Sequence, residues 1–166
     1  MKLPTLFIVS TLLLSSCAVQ TTGPSLEQTV NRYIEVFKQR TDFDKFLSFY
    51  DEQAQLEDMV YGHYAANRAG IEKFYAWPQS RVTVLDNKPL FTVEQKIIDQ
   101  QQRVAIVSGQ FHRFDFGGKT LGPWRFLIKL QFNERGLITY QQDWINYTPK
   151  TMVSNGENLK FQSVRY

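Results

Sequence analysis

Leu26, Val30, Tyr33, Ile34 and Phe37 recur at helical spacing, a repeat that gathers them on one face of an α-helix. Directly ahead of them, Ser25-Leu-Glu-Gln28 has the form of a capping box, in which the serine hydroxyl accepts from the first turn and the glutamine reaches back. A second, short helix is predicted over 43–50, opened by Thr41 or Asp42, with Phe43, Phe46, Leu47 and Tyr50 on one side. The segment 54–61 reads as a short strand. A third helix starts near Asn67, turns Ile71, Phe74 and Tyr75 inward, and stops at Trp77-Pro78 because proline cannot continue the hydrogen-bond ladder.

From Arg81 onward the period changes to two. Segments 81–98, 103–116, 122–133 and 136–147 are expected to be long antiparallel strands, separated by the turn-rich stretches 99–102, 117–119 and 133–136. In the clearest of them Trp124, Phe126, Ile128, Leu130 and Phe132 share one face and Arg125, Lys129 and Gln131 the other, so one face packs and the other is wetter. Helices followed by hairpin-linked strands mean an α+β fold, with the helices laid on one face of a curved sheet. The polar tail, 149–166, reads as an edge strand or an irregular end.

The first residues belong to a different kind of segment. Lys2 precedes an apolar run over 3–14, closed by Ser15 and Ser16, which is the pattern of a secretory signal. The run falls short of the roughly 20 residues that span a bilayer. Leu14-Ser-Ser-Cys17 resembles the lipobox of bacterial lipoproteins, whose cysteine receives a diacylglycerol and becomes the mature N-terminus. That resemblance implies a signal peptide over 1–16, a lipidated Cys17 and tether over 17–24, and a folded domain from residue 25 to 148. Ala18 after the cysteine implies attachment to the outer membrane, facing the periplasm, with acyl chains such as palmitate as the anchor. An incidental Cys17 in a secreted, unanchored protein is the alternative. Cys17 is the only cysteine, so the domain is expected to stand on its core without disulfides.

The formal charge of +3 falls to +2 once Lys2 is removed, and Lys and Arg form no cluster; nucleic-acid binding is excluded on that ground. Aromatic residues make up 14% of the chain, enough to build a core or cavity from rings. With only His63 and His112, and no ligand-like spacing, neither a metal site nor any cofactor is expected. Nucleophile-elbow, phosphate-loop and dinucleotide fingerprints are missing from the sequence. Asn146-Tyr-Thr148 is formally a glycosylation sequon.

Phe49 to Asp58, followed by Asn67 to Phe74, is similar to the opening of SnoaL-like domains: a helix ends in an aspartate-containing turn, a strand ends in an acidic residue, and a Gly-Arg-x-x-Ile-like helix follows. Gly136 to Asn146 resembles their last strand, with an Asp-aromatic pair. The likeness covers residues 26–148 and implies the cone of the nuclear-transport-factor-2-like (NTF2-like) superfamily, in which a strongly curved antiparallel sheet wraps the N-terminal helices and leaves a cavity. Ketosteroid isomerase, limonene epoxide hydrolase, polyketide cyclases and non-catalytic members share that cone, so the fold alone does not choose a function.

The resemblance makes Asp143 the first catalytic candidate, as a cavity carboxylate and general base. Alternation then puts Thr139, Gln141 and Ile145 on its face and Tyr140, Gln142 and Trp144 on the other. Poor solvation there raises a carboxylate pKa, as a base requires. Asp58 is expected at the cavity mouth or, preferably, capping the loop after its strand. Tyr33 is expected as a phenolic donor or as core. Phe37, Trp77, Phe111 and Trp124 form the apolar wall, with Gln141 as a polar ligand contact. Where the hydrolase carries Arg-x-Asp, this sequence has Gly109 and Phe111, so that carboxylate network lacks its centre; His112 and Asp115 alternate to opposite faces. Trp144 and Tyr140 suit homodimerisation through the outer sheet face, or contact with the tail. Three functions follow: binding of a small apolar or amphipathic ligand, which the ring-rich wall favours; a cofactor-independent isomerase, cyclase or hydrolase using Asp143; and a non-catalytic interaction subunit with a filled cone.

Overall fold

The computed structural model describes residues 23–79 and 81–147. The signal run, Cys17 and most of its tether lie outside the described residues, as does the chain from Thr148 on. No described helix is long and apolar enough to cross a membrane.

Helix α1, Leu26–Gln39, starts at the expected capping box: the Gln28 amide donates to Ser25 Oγ at 3.2 Å and the Ser25 amide to Gln28 Oε1 at 3.0 Å. Its predicted stripe, Val30, Tyr33, Ile34 and Phe37, is buried. The helix ends where Arg40 turns left-handed at φ 50°. Helix α2, Phe43–Leu47, is capped by Asp42 and is shorter than expected, because Tyr50 already belongs to strand β1, Tyr50–Asp58. That strand starts earlier than the apolar pattern suggested, since Tyr50 pairs with Ile138 from the far end of the chain. It ends at Asp58, whose carboxylate turns the chain, and the following Gly62 (φ +75°) leads into a short partner, β2, His63–Ala65. Helix α3, Arg68–Tyr75, is capped by Asn67.

The remaining strands are β3 (Val82–Val84), β4 (Phe91–Asp99), β5 (Val104–Phe111), β6 (Phe114–Phe116), β7 (Lys119–Leu121), β8 (Trp124–Phe132) and β9 (Ile138–Ile145). Six of the strands form one sheet in the order β2-β1-β9-β8-β5-β4, and the other three a small sheet, β3-β6-β7. The fold is α+β, helices against a strongly curved sheet. The sheet is mixed rather than purely antiparallel, because β1 runs parallel to β9; hairpin links fix the direction of consecutive strands, and these two are joined only through the whole chain.

The segments 81–98 and 103–116 each divide in two. Asp86 and Asn87 take left-handed conformations between β3 and β4, and the break in the other segment falls at His112–Arg113, beside it: Leu85 N bonds Arg113 O at 3.0 Å and His112 N bonds Leu90 O at 2.9 Å. One long hairpin therefore bends at a single level and passes from the large sheet into the small one. Alternation survives on both sides of the bend, which is why the sequence reads as continuous. Face assignments on β8 agree with the pattern: Phe126, Ile128, Leu130 and Phe132 are buried.

Rings fill the centre. Phe46 stacks on Trp77 with centroids 4.5 Å apart and lies 5.4 Å from Tyr33, while Phe91, Phe111 and Phe126 meet at 5.1 to 5.5 Å. Each such side chain contributes about 1.5–3 kcal/mol by leaving water.

Candidate functional site

Beneath the ring layer, four elements bring polar groups to one buried point. Tyr33 comes from α1, Tyr50 from the start of β1, Tyr75 from the last turn of α3, and Gln141 and Asp143 from β9. Gln141 is fully buried, and its amide is saturated. Its Oε1 accepts from Tyr50 Oη at 2.6 Å and Tyr33 Oη at 3.2 Å; its Nε2 donates to Tyr75 Oη and to Asp143 Oδ1, both at 2.8 Å. Two lone pairs and two N–H bonds are all that an amide offers. The Tyr33 and Tyr50 hydroxyls also lie 3.1 Å apart. Each phenol has one proton and Tyr50 makes the shorter bond to Gln141, so Tyr33 is the one that divides its proton between Tyr50 and Gln141.

The face shared by Gln141, Asp143 and Ile145 is the one expected, and Asp143 is 2% exposed. Thr139 does not join it. The ladder slips between Gln131 and Phe132, Ile138 takes the inward place, and the Thr139 hydroxyl donates to Gln131 O. Burial pushes the Asp143 carboxyl up to about 7, against the Gln141 bond, which favours the charged form; the nearby Asp58 raises it further. Burial also raises all three phenols, with the Asp143 charge adding to the effect, so they remain neutral at physiological pH.

Asp58 stands opposite Asp143 in the β1–β9 ladder and is equally buried. Its Oδ1 accepts the Val60 and Tyr61 amides, and its Oδ2 accepts the Tyr147 hydroxyl at 2.9 Å. These are the bonds of a loop cap. Tyr140, on the outer face, donates to Glu57, and Trp144 is 37% exposed beside Leu127. His112 bonds Thr92, whereas Asp115 holds the Gly118 amide in the turn. Among the described residues no three His, Cys, Asp or Glu side chains gather as a metal site needs.

A cavity of about 270 Å³ opens between the C-terminal end of α1, α3 and the small sheet. Phe37, Phe74, Leu90, Phe111, Phe114 and Trp124 form most of its wall, with Val82, Phe116 and Leu121 from the small sheet. Its two polar lining residues are Tyr75 and Arg40. Of the candidates, Phe37, Phe111 and Trp124 thus line the cavity. Trp77 packs behind it on Phe43 and Phe46. Tyr33, Gln141, Asp58 and Asp143 are not among the lining residues either. Tyr75 alone belongs to both the cavity and the polar cluster.

Gly109 explains the departure from the hydrolase pattern. A Cβ there would lie 2.0 Å from the Thr92 carbonyl oxygen and 3.0 Å from the Phe126 ring, so the close approach of β4 leaves no room for a side chain. Tyr50, Tyr75 and Arg40 were not singled out for polar roles from the sequence: both tyrosines read as apolar members of helical faces. Arg40 continues the α1 stripe three residues after Phe37, the signal that placed it against the cavity.

No protein-family model and no curated protein matches the chain. Solved structures do. A protein from Shewanella putrefaciens described as a SnoaL-like polyketide cyclase superposes with a TM-score of 0.59 at 18% identity, over 78% of this chain and 94% of its own. An NTF2-like protein of unknown function from Burkholderia pseudomallei gives 0.57 at 16% identity, over 77% and 94%. A protein from Catenulispora acidiphila with a ketosteroid isomerase-like fold, in complex with trimethylamine, gives 0.52 at 12% identity, over 70% and 84%. The chain has the SnoaL-like, NTF2-like fold.

Proposed function

We propose that the protein binds a small, mainly apolar molecule in the cavity between α1, α3 and the small sheet. The observation that carries this reading is a ring-walled space joined to a rigid polar cluster through one residue, Tyr75. Concave, largely apolar sites with few polar groups are the usual form of ligand pockets, and about 300–1,000 Å³ is their common range. At about 270 Å³ this one suits a ligand at the small end. The C. acidiphila protein of the same fold, in complex with trimethylamine, is further support. Lipidation at Cys17 would hold the domain at the cell envelope. Ser25 and Arg40 bracket α1, whose 14 residues span about 21 Å at 1.5 Å per residue, so the cavity lies at the helix end away from the tether.

Catalysis by Asp143 is the second reading, favoured by a carboxyl raised to about 7. A general base works within about 2.6–3.2 Å of the proton it takes, or through one water. Here the carboxyl is not among the cavity's lining residues and reaches Tyr75, which is, through the Gln141 amide, which favours binding, with Asp143 orienting Gln141 and, through it, Tyr75.

Native mass spectrometry after gentle extraction from the producing membrane tests the proposal. The wild-type protein is expected to carry a co-purified small molecule, and Leu121→Trp, which fills the cavity from its rim, to lose it. A ligand retained at the same occupancy by the filled variant would place binding elsewhere.

A further inference from the structure

A second concavity lies at the other end of α1, and it is polar. It encloses about 470 Å³ between the first turn of α1, the β4–β5 turn and the β8–β9 turn, with Gly23 and Pro24 at its edge. Each side is held by its own local bonds. The capping box fixes the helix start, the Asp99 carboxylate accepts the Gln101 and Gln102 amides, and the Asn133 side chain accepts the amides of Arg135 and Leu137. A bond from Phe132 N to Arg103 O, 2.9 Å, ties the two turns together.

Donors outnumber acceptors in this cleft. The capping box uses the Ser25 and Gln28 amides, and Thr29 N bonds Ser25 O, which leaves the Leu26 and Glu27 N–H groups at the positive end of the helix. Thr29 is 5% exposed, and its Oγ1 faces Gly136, where a Cβ would meet it at 3.8 Å; this hydroxyl has no hydrogen-bond partner among the described residues. A buried hydroxyl in that state calls for a partner that enters from the cleft. Arg103 donates a single long bond, 3.5 Å, to Asn133 O and forms no ion pair among the described residues. The neighbouring acids are engaged elsewhere, Asp99 in its turn and Asp51 with Arg135. Glu134 is the one acidic side chain among the described lining residues, and it too forms no ion pair among them.

We propose that this cleft is a second binding site, independent of the ring-walled cavity, for a phosphate ester that carries an amine, as a phosphoethanolamine group does. The phosphate is received by Arg103, the Thr29 hydroxyl and the start of α1, donors that suit a tetrahedral oxyanion, and the ammonium turns to Glu134. A free phosphate ester and a lipid headgroup share this chemistry. Cys17 precedes Gly23 by six residues, at most about 20 Å of chain, so lipidation there would hold the cleft close to a membrane surface.

The test is an amide NMR titration of the full chain in maltoside micelles with sn-glycero-3-phosphoethanolamine, and with sn-glycero-3-phosphoglycerol, the same phosphodiester without the amine. Saturable shifts are expected at Leu26, Glu27 and Thr29, with the amine-bearing probe bound about threefold more tightly. Arg103→Gln and the shape-retaining Thr29→Val are each expected to weaken both probes roughly three- to tenfold, and Glu134→Gln to abolish the preference between them. The same shifts in phosphatidylethanolamine nanodiscs, absent in phosphatidylcholine nanodiscs, assign the lipid headgroup as the source; shifts with the soluble probe alone assign a free ester, and either supports the site. No shift at the start of α1 with either probe overturns the proposal, as do equal affinities for the two probes or unchanged binding in both folded variants. None of these results bears on the apolar cavity, whose test is separate.

Discussion

The polar cluster around Gln141 and the cavity beside it lie next to each other and are built on opposite terms. In the cluster each donor and acceptor of the amide is committed, the groups come from four elements, and all but the half-buried Tyr75 are buried. In the cavity the walls are rings and aliphatic side chains, several only half-buried, and the strands that close it are three residues long. A saturated buried network specifies one arrangement because any missing member leaves its partners unpaired. An apolar wall tolerates exchange. The first region therefore holds the fold in register, and the second is where ligand preference can change without unfolding it.

The largest effect is expected from Gln141→Leu. It removes the common partner of three phenols and the Asp143 carboxyl, leaving Tyr33 and Tyr50 to bond each other, at roughly 1–3 kcal/mol for each buried bond lost. A loss of about 5 kcal/mol is expected, a large share of a typical domain's stability, read from the urea midpoint. A loss below about 1 kcal/mol would mean that the cluster is not the rigid half of the comparison.

Asp143 gives the next effect, and its sign is opposite to that of an ion-paired carboxylate. Its folded pKa, about 7, lies above its ordinary value of 3.8, so between those pH values the folded state holds the proton more tightly than the unfolded state. The resulting stability is complete below about pH 4 and is lost as pH rises through 7, by up to about 4 kcal/mol. Denaturation of the wild type and Asp143→Asn at pH 4, 6 and 8 separates this contribution from the exposed carboxylates: the wild type is expected to fall relative to the variant across that range. Parallel profiles would show a carboxyl that stays charged.

Gly109→Ala ranks third. The added methyl meets the Thr92 carbonyl at 2.0 Å, and forcing the two strands apart is expected to lower stability by about 2 kcal/mol, measured by thermal melting.

These residues also mark what the sequence could and could not disclose. Caps and stripes are local, so Ser25, Asp42, Asn67 and the α1 face could be read directly, and alternation revealed the β8 faces. The parallel pairing of β1 with β9 was hidden, because it joins segments more than eighty residues apart. The bend between the two sheets was hidden because period two is the same on either side of it. Asp143 could be placed inside from resemblance, but its link to the cavity wall runs through the Gln141 amide and the Tyr75 hydroxyl, whose meeting no spacing encodes. A tyrosine in an apolar stripe reads as a ring, and only the assembled structure reveals where its hydroxyl goes.

The smallest effect is expected at the seam between the two regions. Trp77 stacks on Phe46 and supports the Arg40 guanidinium, yet its indole Nε1 is buried without a hydrogen-bond partner among the described residues. An unpaired buried donor carries a desolvation cost of roughly 1–3 kcal/mol. Trp77→Phe removes that donor and also some packing volume, and the two changes oppose each other. Stability is expected to shift by less than about 1 kcal/mol in chemical denaturation. A drop of about 3 kcal/mol or more would mean that the packing of the Trp77 ring outweighs the relief of its unpaired donor.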